Sequence, residues 1–171
     1  MRNTELAKLD GLVGEWTTTI SDAWFLEPPG TAVPGSTVVE WIGESFLVMR
    51  TQYAGDEHAH SEMSFVLGRS DPNDAYVALY HDDRGVCREF AMTYGGGHWT
   101  LTREDPDMHQ RFIADVEADR ILGRWEASDD QGQTGARTST SPTNGPERRR
   151  AGLAPRAGRP QVPASKSTGS L

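Results

Sequence analysis

The chain has 171 residues and a formal net charge of −8. Residues 1–135 hold 24 acidic and 10 basic side chains, whereas residues 136–171 hold 1 and 7. The acidic character of residues 1–135 argues against a nucleic-acid-binding groove, because phosphate binding needs clustered Lys and Arg. The N-terminal segment carries charges at Glu5, Lys8 and Asp10 and lacks an apolar run of signal-peptide or transmembrane length. We therefore expect a cytoplasmic protein with no membrane partner.

The two parts of the chain also differ in what they can bury. Every aromatic residue lies in the first part, whereas the second is rich in Ser, Pro, Gly and Arg. The second composition is typical of disorder, because too little apolar surface is available to offset the entropy of ordering. We predict one domain over residues 1–134 and a disordered basic tail over residues 135–171.

Apolar residues follow a helical period only near the N terminus. Leu6, Leu9 and Val13, with Gly11 as a stop, predict one short helix. Beyond it the period changes to two, which is typical of strands. The predicted strands cover residues 14–20, 36–42, 45–54, 61–68, 75–81, 85–94, 98–103, 108–117 and 120–128. Short strands joined by tight turns predict an all-β, antiparallel up-and-down barrel.

The densest cluster of charge is HDDRGVCREF, over residues 81–90. It has the residue types of a metal site, an acid/base pair or a thiol nucleophile, but strands are predicted on both sides. Residues 81–85 are therefore interpreted as a hairpin turn and Cys87 as a small buried residue of a strand. His58 and His60 could share a strand face, but spacing fixes no third ligand, so no metal site is predicted.

Charged residues on otherwise apolar strand faces are the candidate site. Glu40, Arg50 and Arg88 each share a strand face with apolar residues, and a charge inside a barrel is costly unless it is paired or meets a ligand. One interpretation is an internal ion pair of Glu40 with Arg88 or Arg50. The other is an arginine that anchors a ligand carboxylate. Apolar walls for such a site would come from Trp41, Tyr80, Met92 and Trp99.

Several motifs carry a family resemblance. LDGLVGEW places Gly14 and Trp16 on the first strand, which resembles the opening of lipocalin-like, or calycin, barrels. With EWIGESFLVMR, YHDDRGVCREF, HWTLTRE and ILGRWEASDDQGQT, residues 5–134 resemble a bacterial conserved-hypothetical family of small calycin-type barrels, a domain of unknown function. Such barrels resemble lipocalins, fatty-acid-binding proteins and haem-binding nitrobindins, but fold analogy carries no activity. Haem would need an axial histidine, and no motif places His81 or His98 there.

The resemblance also implies a final strand that begins at a Trp. Here Thr134 is followed by GARTSTSPTNGPERRR, which does not alternate. Under one choice of synonymous codons for residues 134–143, inserting a single base after the first codon changes the translated peptide to TWREDFDLTY. This peptide contains the expected Trp, and its apolar residues alternate with polar ones as in a strand. We interpret the tail from Gly135 onward as an out-of-frame reading of a lost final strand. The alternative is a genuine basic linker that binds a partner through residues 148–150.

The leading functional hypothesis is non-enzymatic binding of a small apolar or carboxylate-bearing ligand in the barrel lumen. The alternative is an enzyme that acts on a lipophilic small molecule through the turn at residues 81–84 or through lumen arginines. A third class is a protein-interaction module that uses an exposed strand edge. The sequence leaves the cofactor and the oligomeric state open.

Overall fold

The computed structural model describes residues 3–54 and 61–130, together with the backbone of residues 137–144. A short helix, α1 (Thr4–Ala7), continues into a 3-10 helix (Lys8–Leu12). The strands are β1 (Gly14–Ser21), β2 (Ala32–Ile42), β3 (Phe46–Tyr53), β4 (Glu62–Ser70), β5 (Ala75–Asp82), β6 (Cys87–Gly95), β7 (His98–Asp105), β8 (Met108–Val116), β9 (Arg120–Ser128) and β10 (Arg137–Asn144). The all-β prediction, the short helix and the nine predicted strands are confirmed.

The strands form a closed antiparallel barrel in which each strand pairs with the next along the chain. β10 lies between β9 and β1 and completes the ring. The tight turns expected from the sequence explain this order, because two-residue and similarly short loops join only antiparallel neighbours. No helix among the described residues is long and apolar enough to cross a membrane.

The prediction that the closing strand is missing is wrong. β10 runs antiparallel to β9 over all 8 of its residues and also pairs with β1. Backbone N–H and C=O groups at two open edges need partners whatever side chains the partner strand carries. A Ser- and Thr-rich segment can therefore supply the ladder without the apolar alternation that the prediction required. The frameshift stays a hypothesis, and residues 145–171 lie outside the described residues.

β2 begins at Ala32, earlier than predicted, because two residues that normally break strands are accommodated. Pro34 accepts a hydrogen bond from the Ala54 backbone N–H at 2.8 Å, which uses the carbonyl that Pro still has. At Gly35, an added Cβ would lie 2.5 Å from the Gln52 carbonyl oxygen. Glycine therefore permits the close approach of β2 to β3 at this point.

Strand alternation places one set of side chains in the lumen. On β2, Thr37 and Val39 are buried whereas Val38, Glu40 and Ile42 are exposed. The same alternation continues around the barrel, so the apolar core lies inside it. Large side chains that are fully buried there are Phe65, Phe90, Leu47, Leu67 and Leu101.

The N-terminal segment plugs one end of the barrel. Asn3 caps α1, its side-chain oxygen accepting hydrogen bonds from the backbone N–H of Glu5 (2.9 Å) and Leu6 (3.3 Å). Buried apolar residues of the plug are Leu6, Leu9 and Leu12. Three aromatic side chains of the barrel bind it by donated hydrogen bonds: Trp16 Nε1 to Leu12 O (2.9 Å), Trp41 Nε1 to Asp10 Oδ1 (2.8 Å) and Tyr76 Oη to Glu5 O (2.7 Å).

Candidate functional site

The barrel contains an open cavity of about 420 Å³, which we call the outer cavity. Its apolar lining includes Ile20, Met63 and Met108. Its aromatic lining consists of Trp24, Phe25, Tyr80, Phe90 and Trp125. Trp24 and Phe25 come from the loop between β1 and β2 and meet edge to face, with ring centroids 5.4 Å apart. The volume falls in the range of small-molecule sites, which are mostly apolar with a few polar groups.

Arg88 brings a positive charge to the outer cavity. Its Nη1 donates to Gln110 Oε1 at 3.0 Å, and its guanidinium carbon lies 5.9 Å from the centre of the Tyr80 ring. Among the residues that the structure describes, no carboxylate forms a salt bridge with Arg88. A guanidinium has five N–H donors, and Gln110 accepts from only one of its nitrogens. The remaining donors can therefore bind an anion.

Other charges near this end are compensated. Arg103 lies beside Asp105, with Nε 2.7 Å from Oδ2 but without hydrogen-bond geometry, and its Nη2 donates to Asp107 Oδ1 at 2.6 Å. Glu126 lines the outer cavity and is bound by two arginines, Arg111 and Arg124. Asp129 also lines the cavity and makes interactions of its own. Arg88 thus differs from Arg103, Arg111 and Arg124, which pair with carboxylates, because its partners among the described residues are neutral.

The predicted hairpin turn between β5 and β6 is confirmed, although β5 extends through Asp82, two residues into the predicted turn. Asp82 organises the turn. The Asp82 side chain is fully buried, and its Oδ1 accepts from the backbone N–H of Arg84 (3.0 Å) and Val86 (3.3 Å). Its Oδ2 accepts from Tyr80 Oη at 2.8 Å and from the Arg84 guanidinium. Burial by itself raises the pKa of Asp82, but these hydrogen bonds together hold that pKa well below its usual range. Burial and the bond to Asp82 raise the pKa of Tyr80.

The Asp82 network predicts an acid-dependent loss of stability. Its folded pKa is below the ordinary value of 3.8, so its contribution is complete above that value and is lost as the pH falls through the folded pKa. Asp82→Asn should lower stability at neutral pH, because an amide replaces a carboxylate that accepts from Arg84. It should also flatten the decline at acid pH.

Urea unfolding at pH 5, 4 and 3 measures this slope. Asp71→Asn, which changes an exposed carboxylate in the turn between β4 and β5, should keep the wild-type slope. An Asp82→Asn protein as acid-sensitive as the wild type would show that Asp82 does not carry the effect.

A second, smaller cavity of about 70 Å³ lies in the lumen, and we call it the inner cavity. Most of its lining is apolar, but three buried hydroxyls on β1, β2 and β3 form a hydrogen-bonded row. Thr37 Oγ1 lies 2.7 Å from Thr18 Oγ1 and 2.8 Å from Thr51 Oγ1. Trp99, on β7, lines the same cavity and is 4% exposed. The inner cavity thus combines apolar walls with a few buried polar groups.

The structure brings together some of the sequence-predicted site residues. Tyr80 and Arg88 line the outer cavity, and Trp99 lines the inner cavity. Met92 is buried in the core, and Trp41 packs against that core near the plug, to which it donates its N–H. Tyr80 and Arg88 are directly opposite each other on β5 and β6, which is why they reach the same site.

The expectation that Glu40 and Arg50 face the lumen is wrong. The two side chains form a salt bridge with each other on the outside of the barrel, where they are 53% and 48% exposed. The ion pair that the sequence suggested is therefore formed, but away from any internal site. The expectation failed because the inward positions of β2 and β3 are the alternate ones, which include Thr37, Val39 and Thr51.

The remaining reactive side chains lie on the outer surface. His81 is exposed, and His98 is exposed with its Nδ1 2.8 Å from Asp115 Oδ1. Cys87 is exposed, so the prediction that it is buried is wrong. It precedes the inward-facing Arg88 on β6, and adjacent strand residues point to opposite faces. No group of three or more possible metal-ligating side chains occurs in the part of the chain that the structure describes. His58 and His60 lie outside that part.

Sequence reasoning missed several residues of the two cavities. Gln110 shares a strand face with the buried Phe112 and Ala114, so the signal that identified Arg88 could have found it. Trp24 and Phe25 lie in a loop without periodicity, where only the run of large apolar residues marks them. The threonine row gave no signal, because threonine is an ordinary residue on either face of a strand.

Comparison with known proteins supports the fold. No protein-family model matches the chain, and no curated protein matches it. Among solved structures, the chain is similar to the crystal structure of Rv2717c from M. tuberculosis, with a TM-score of 0.60 and 10% sequence identity. The match covers 85% of this chain and 99% of that chain. At this identity the likeness shows a shared fold alone.

Proposed function

We propose that the protein is a non-enzymatic binder of a small amphipathic carboxylate, whose carboxylate is held by Arg88 and whose apolar part fills the outer cavity. The observation that carries the proposal is a guanidinium in an aromatic-lined cavity with only neutral partners among the described residues. Taking a charge out of water is costly unless an opposite charge compensates it. A ligand carboxylate supplies that compensation.

The surroundings of Arg88 favour a carboxylate with an apolar body. Gln110 Oε1 also lies 3.4 Å from Arg103 Nη1, so the amide oxygen is fixed between two guanidinium groups and holds Arg88 in place. The rings of Phe90 and Trp125 meet edge to face, with centroids 5.8 Å apart, and form a wall. A guanidinium fork matches a carboxylate in geometry, and aromatic walls match a planar or aliphatic body.

The proposal includes a calycin-type assignment for the barrel. It is supported by the closed antiparallel ring, by the N-terminal plug and by the bond from Trp16 Nε1 to Leu12 O, which ties the Gly-x-Trp motif to that plug. The likeness to Rv2717c supports the general shape. The residues of the turn at 81–84 do not favour an enzyme, because Asp82 is used within the turn and His81 points outward.

The test compares a carboxylate with its uncharged amide. Isothermal titration calorimetry at pH 7 would measure 4-(4-ethylphenyl)butanoate, the ethyl probe, and the corresponding primary amide. We expect the wild type to bind the ethyl probe about tenfold or more tightly than the amide, because hydrogen bonds to charged groups are the stronger kind. Arg88→Met should remove most of that difference and leave amide binding nearly unchanged.

Arg50→Met is the matched control, because it removes an arginine of the outer surface that pairs with Glu40. It should keep the preference for the carboxylate. A wild type that binds neither compound, or an Arg88→Met protein that still prefers the ethyl probe, would contradict the proposal. Circular dichroism would establish that both variants are folded.

A further inference from the structure

The outer and inner cavities share two walls, Met63 and Trp125. Both side chains line the outer cavity that contains Arg88 and the inner cavity that contains Trp99. A methionine side chain is flexible and changes its packing readily. A ligand that enters the outer cavity can therefore extend past Met63 toward the inner cavity.

The threonine row leaves one hydrogen without an acceptor. Three hydroxyls, of Thr18, Thr37 and Thr51, carry three hydrogens but make two hydrogen bonds with one another. Whichever way the hydroxyls rotate, one O–H remains as a donor. Among the described residues these hydroxyls make no other hydrogen bond. All three residues are more than nine-tenths buried.

Trp99 supplies a second donor of the same kind. Its indole Nε1 is buried and has no hydrogen-bond partner within the described part of the chain. Trp16, the tryptophan of the Gly-x-Trp motif, also lines the inner cavity but does have an acceptor, Leu12 O. An indole N–H normally finds a partner when it is buried, because leaving a donor unpaired loses its hydration without compensation.

Trp99 and the threonine row line the same inner cavity, which is large enough for a polar group. The inner cavity, at about 70 Å³, exceeds the space that a single water molecule needs, and its other walls are mostly apolar, with Leu101 and Ile121 among them. A carbonyl oxygen has two lone pairs and can accept from two donors. A carbonyl group in the inner cavity would therefore place an acceptor among apolar walls, beside residues that carry donors.

We infer that the ligand carries a hydrogen-bond acceptor of the carbonyl type at the end opposite its carboxylate, and that the inner cavity binds this end through Trp99 and the threonine row. The inference rests on the proposed function and narrows the ligand class to molecules with two polar ends and an apolar middle. Arg88 selects the anionic end, whereas the inner cavity selects the uncharged acceptor.

The experiment adds a second compound, the acetyl probe 4-(4-acetylphenyl)butanoate, which differs from the ethyl probe by a carbonyl in place of a methylene. The wild type should bind the acetyl probe about tenfold more tightly. Trp99→Phe keeps a ring and removes the N–H, and Thr37→Val removes the central hydroxyl. Each variant should reduce the preference to about twofold or less while still binding the ethyl probe.

Trp41→Phe is the matched control, because it removes an indole N–H that binds Asp10 at the plug. It should retain the full preference for the acetyl probe. Equal binding of the two compounds by the wild type, the result expected if ordered water alone satisfies the donors, overturns this inference and leaves the proposed function standing. A preference that survives in both Trp99→Phe and Thr37→Val overturns it too. Failure of both compounds to bind overturns the proposed function itself.

Discussion

Replacing Ser139, Ser141 and Thr143 with Phe, Leu and Tyr should raise the free energy of unfolding by about 4–8 kcal/mol, because each buried large side chain contributes roughly 1.5–3 kcal/mol. The three positions lie on β10, and residues directly opposite one another on antiparallel strands share a face. Their partners on β9 are Trp125, Gly123 and Ile121, respectively. Trp125 and Ile121 line the inner cavity, so the introduced side chains would enter the lumen.

This prediction also tests the frameshift hypothesis by its physical consequence. The frame-restored peptide TWREDFDLTY would place Phe, Leu and Tyr at these three alternate positions. The peptide was derived without knowledge of how β10 pairs with β9. That pairing nevertheless places its Phe, Leu and Tyr opposite the inward-facing residues of β9. A sequence shaped by burial in the lumen has this pattern, whereas the present Ser and Thr residues have little apolar surface to bury.

The matched control moves the same three residues to the other face of β10, as Thr138→Phe, Thr140→Leu and Pro142→Tyr. These positions oppose Glu126, Arg124 and Leu122. Arg124 and Leu122 are exposed, and Glu126 binds the exposed Arg111 and Arg124. Urea unfolding of both triple variants gives the comparison. The hypothesis requires stabilisation only by the inner set. Equal effects from both sets, or destabilisation by the inner set, would contradict it.

Leu9→Ala should lower the free energy of unfolding by about 2–5 kcal/mol, the range for a buried leucine that leaves a cavity. Leu9 is fully buried in the plug, where it packs with the core of the barrel. The plug is short, with 4 residues in α1 and 5 in the 3-10 helix, so its helices have little stability of their own. Its position depends on this packing and on the hydrogen bonds from barrel aromatics.

Lys8→Ala provides the control one residue away. Lys8 is exposed and pairs with Glu5, and an exposed ion pair contributes little to stability. Chemical unfolding followed by tryptophan fluorescence measures both variants. A Leu9→Ala protein within about 1 kcal/mol of the wild type would mean that the barrel does not depend on its plug.

Alternation predicted which residues share a strand face, but not always which face points inward. On β6 the choice was clear, because Phe90 and Met92 alternate with polar or small residues such as Cys87 and Glu89. Arg88 was therefore placed correctly. On β2 both faces carry apolar residues, and the outer ones, Val38 and Ile42, remain 38% and 50% exposed. Two apolar faces give no basis for choosing, so Glu40 and Arg50 were assigned to the wrong side.

The missing-strand prediction failed for a different reason. Strands were predicted from the alternation of apolar and polar residues, which depends on side-chain burial. Residues 137–144 lack that alternation, so no strand was predicted there. The barrel edges at β9 and β1 need backbone partners, and that requirement appears only once the other strands are paired in space. The inner donors were likewise invisible, because Trp99 and the threonine row become neighbours of one cavity only after the barrel closes.

The central claim is that the lumen binds a carboxylate at Arg88, and a crystal structure of the protein with the ethyl probe tests it most directly. The account predicts the carboxylate within hydrogen-bond distance of the Arg88 guanidinium, with the phenyl ring in the outer cavity against Phe90 and Trp125. A carboxylate bound at another arginine, or a compound bound only on the outer surface of the barrel, would contradict the account.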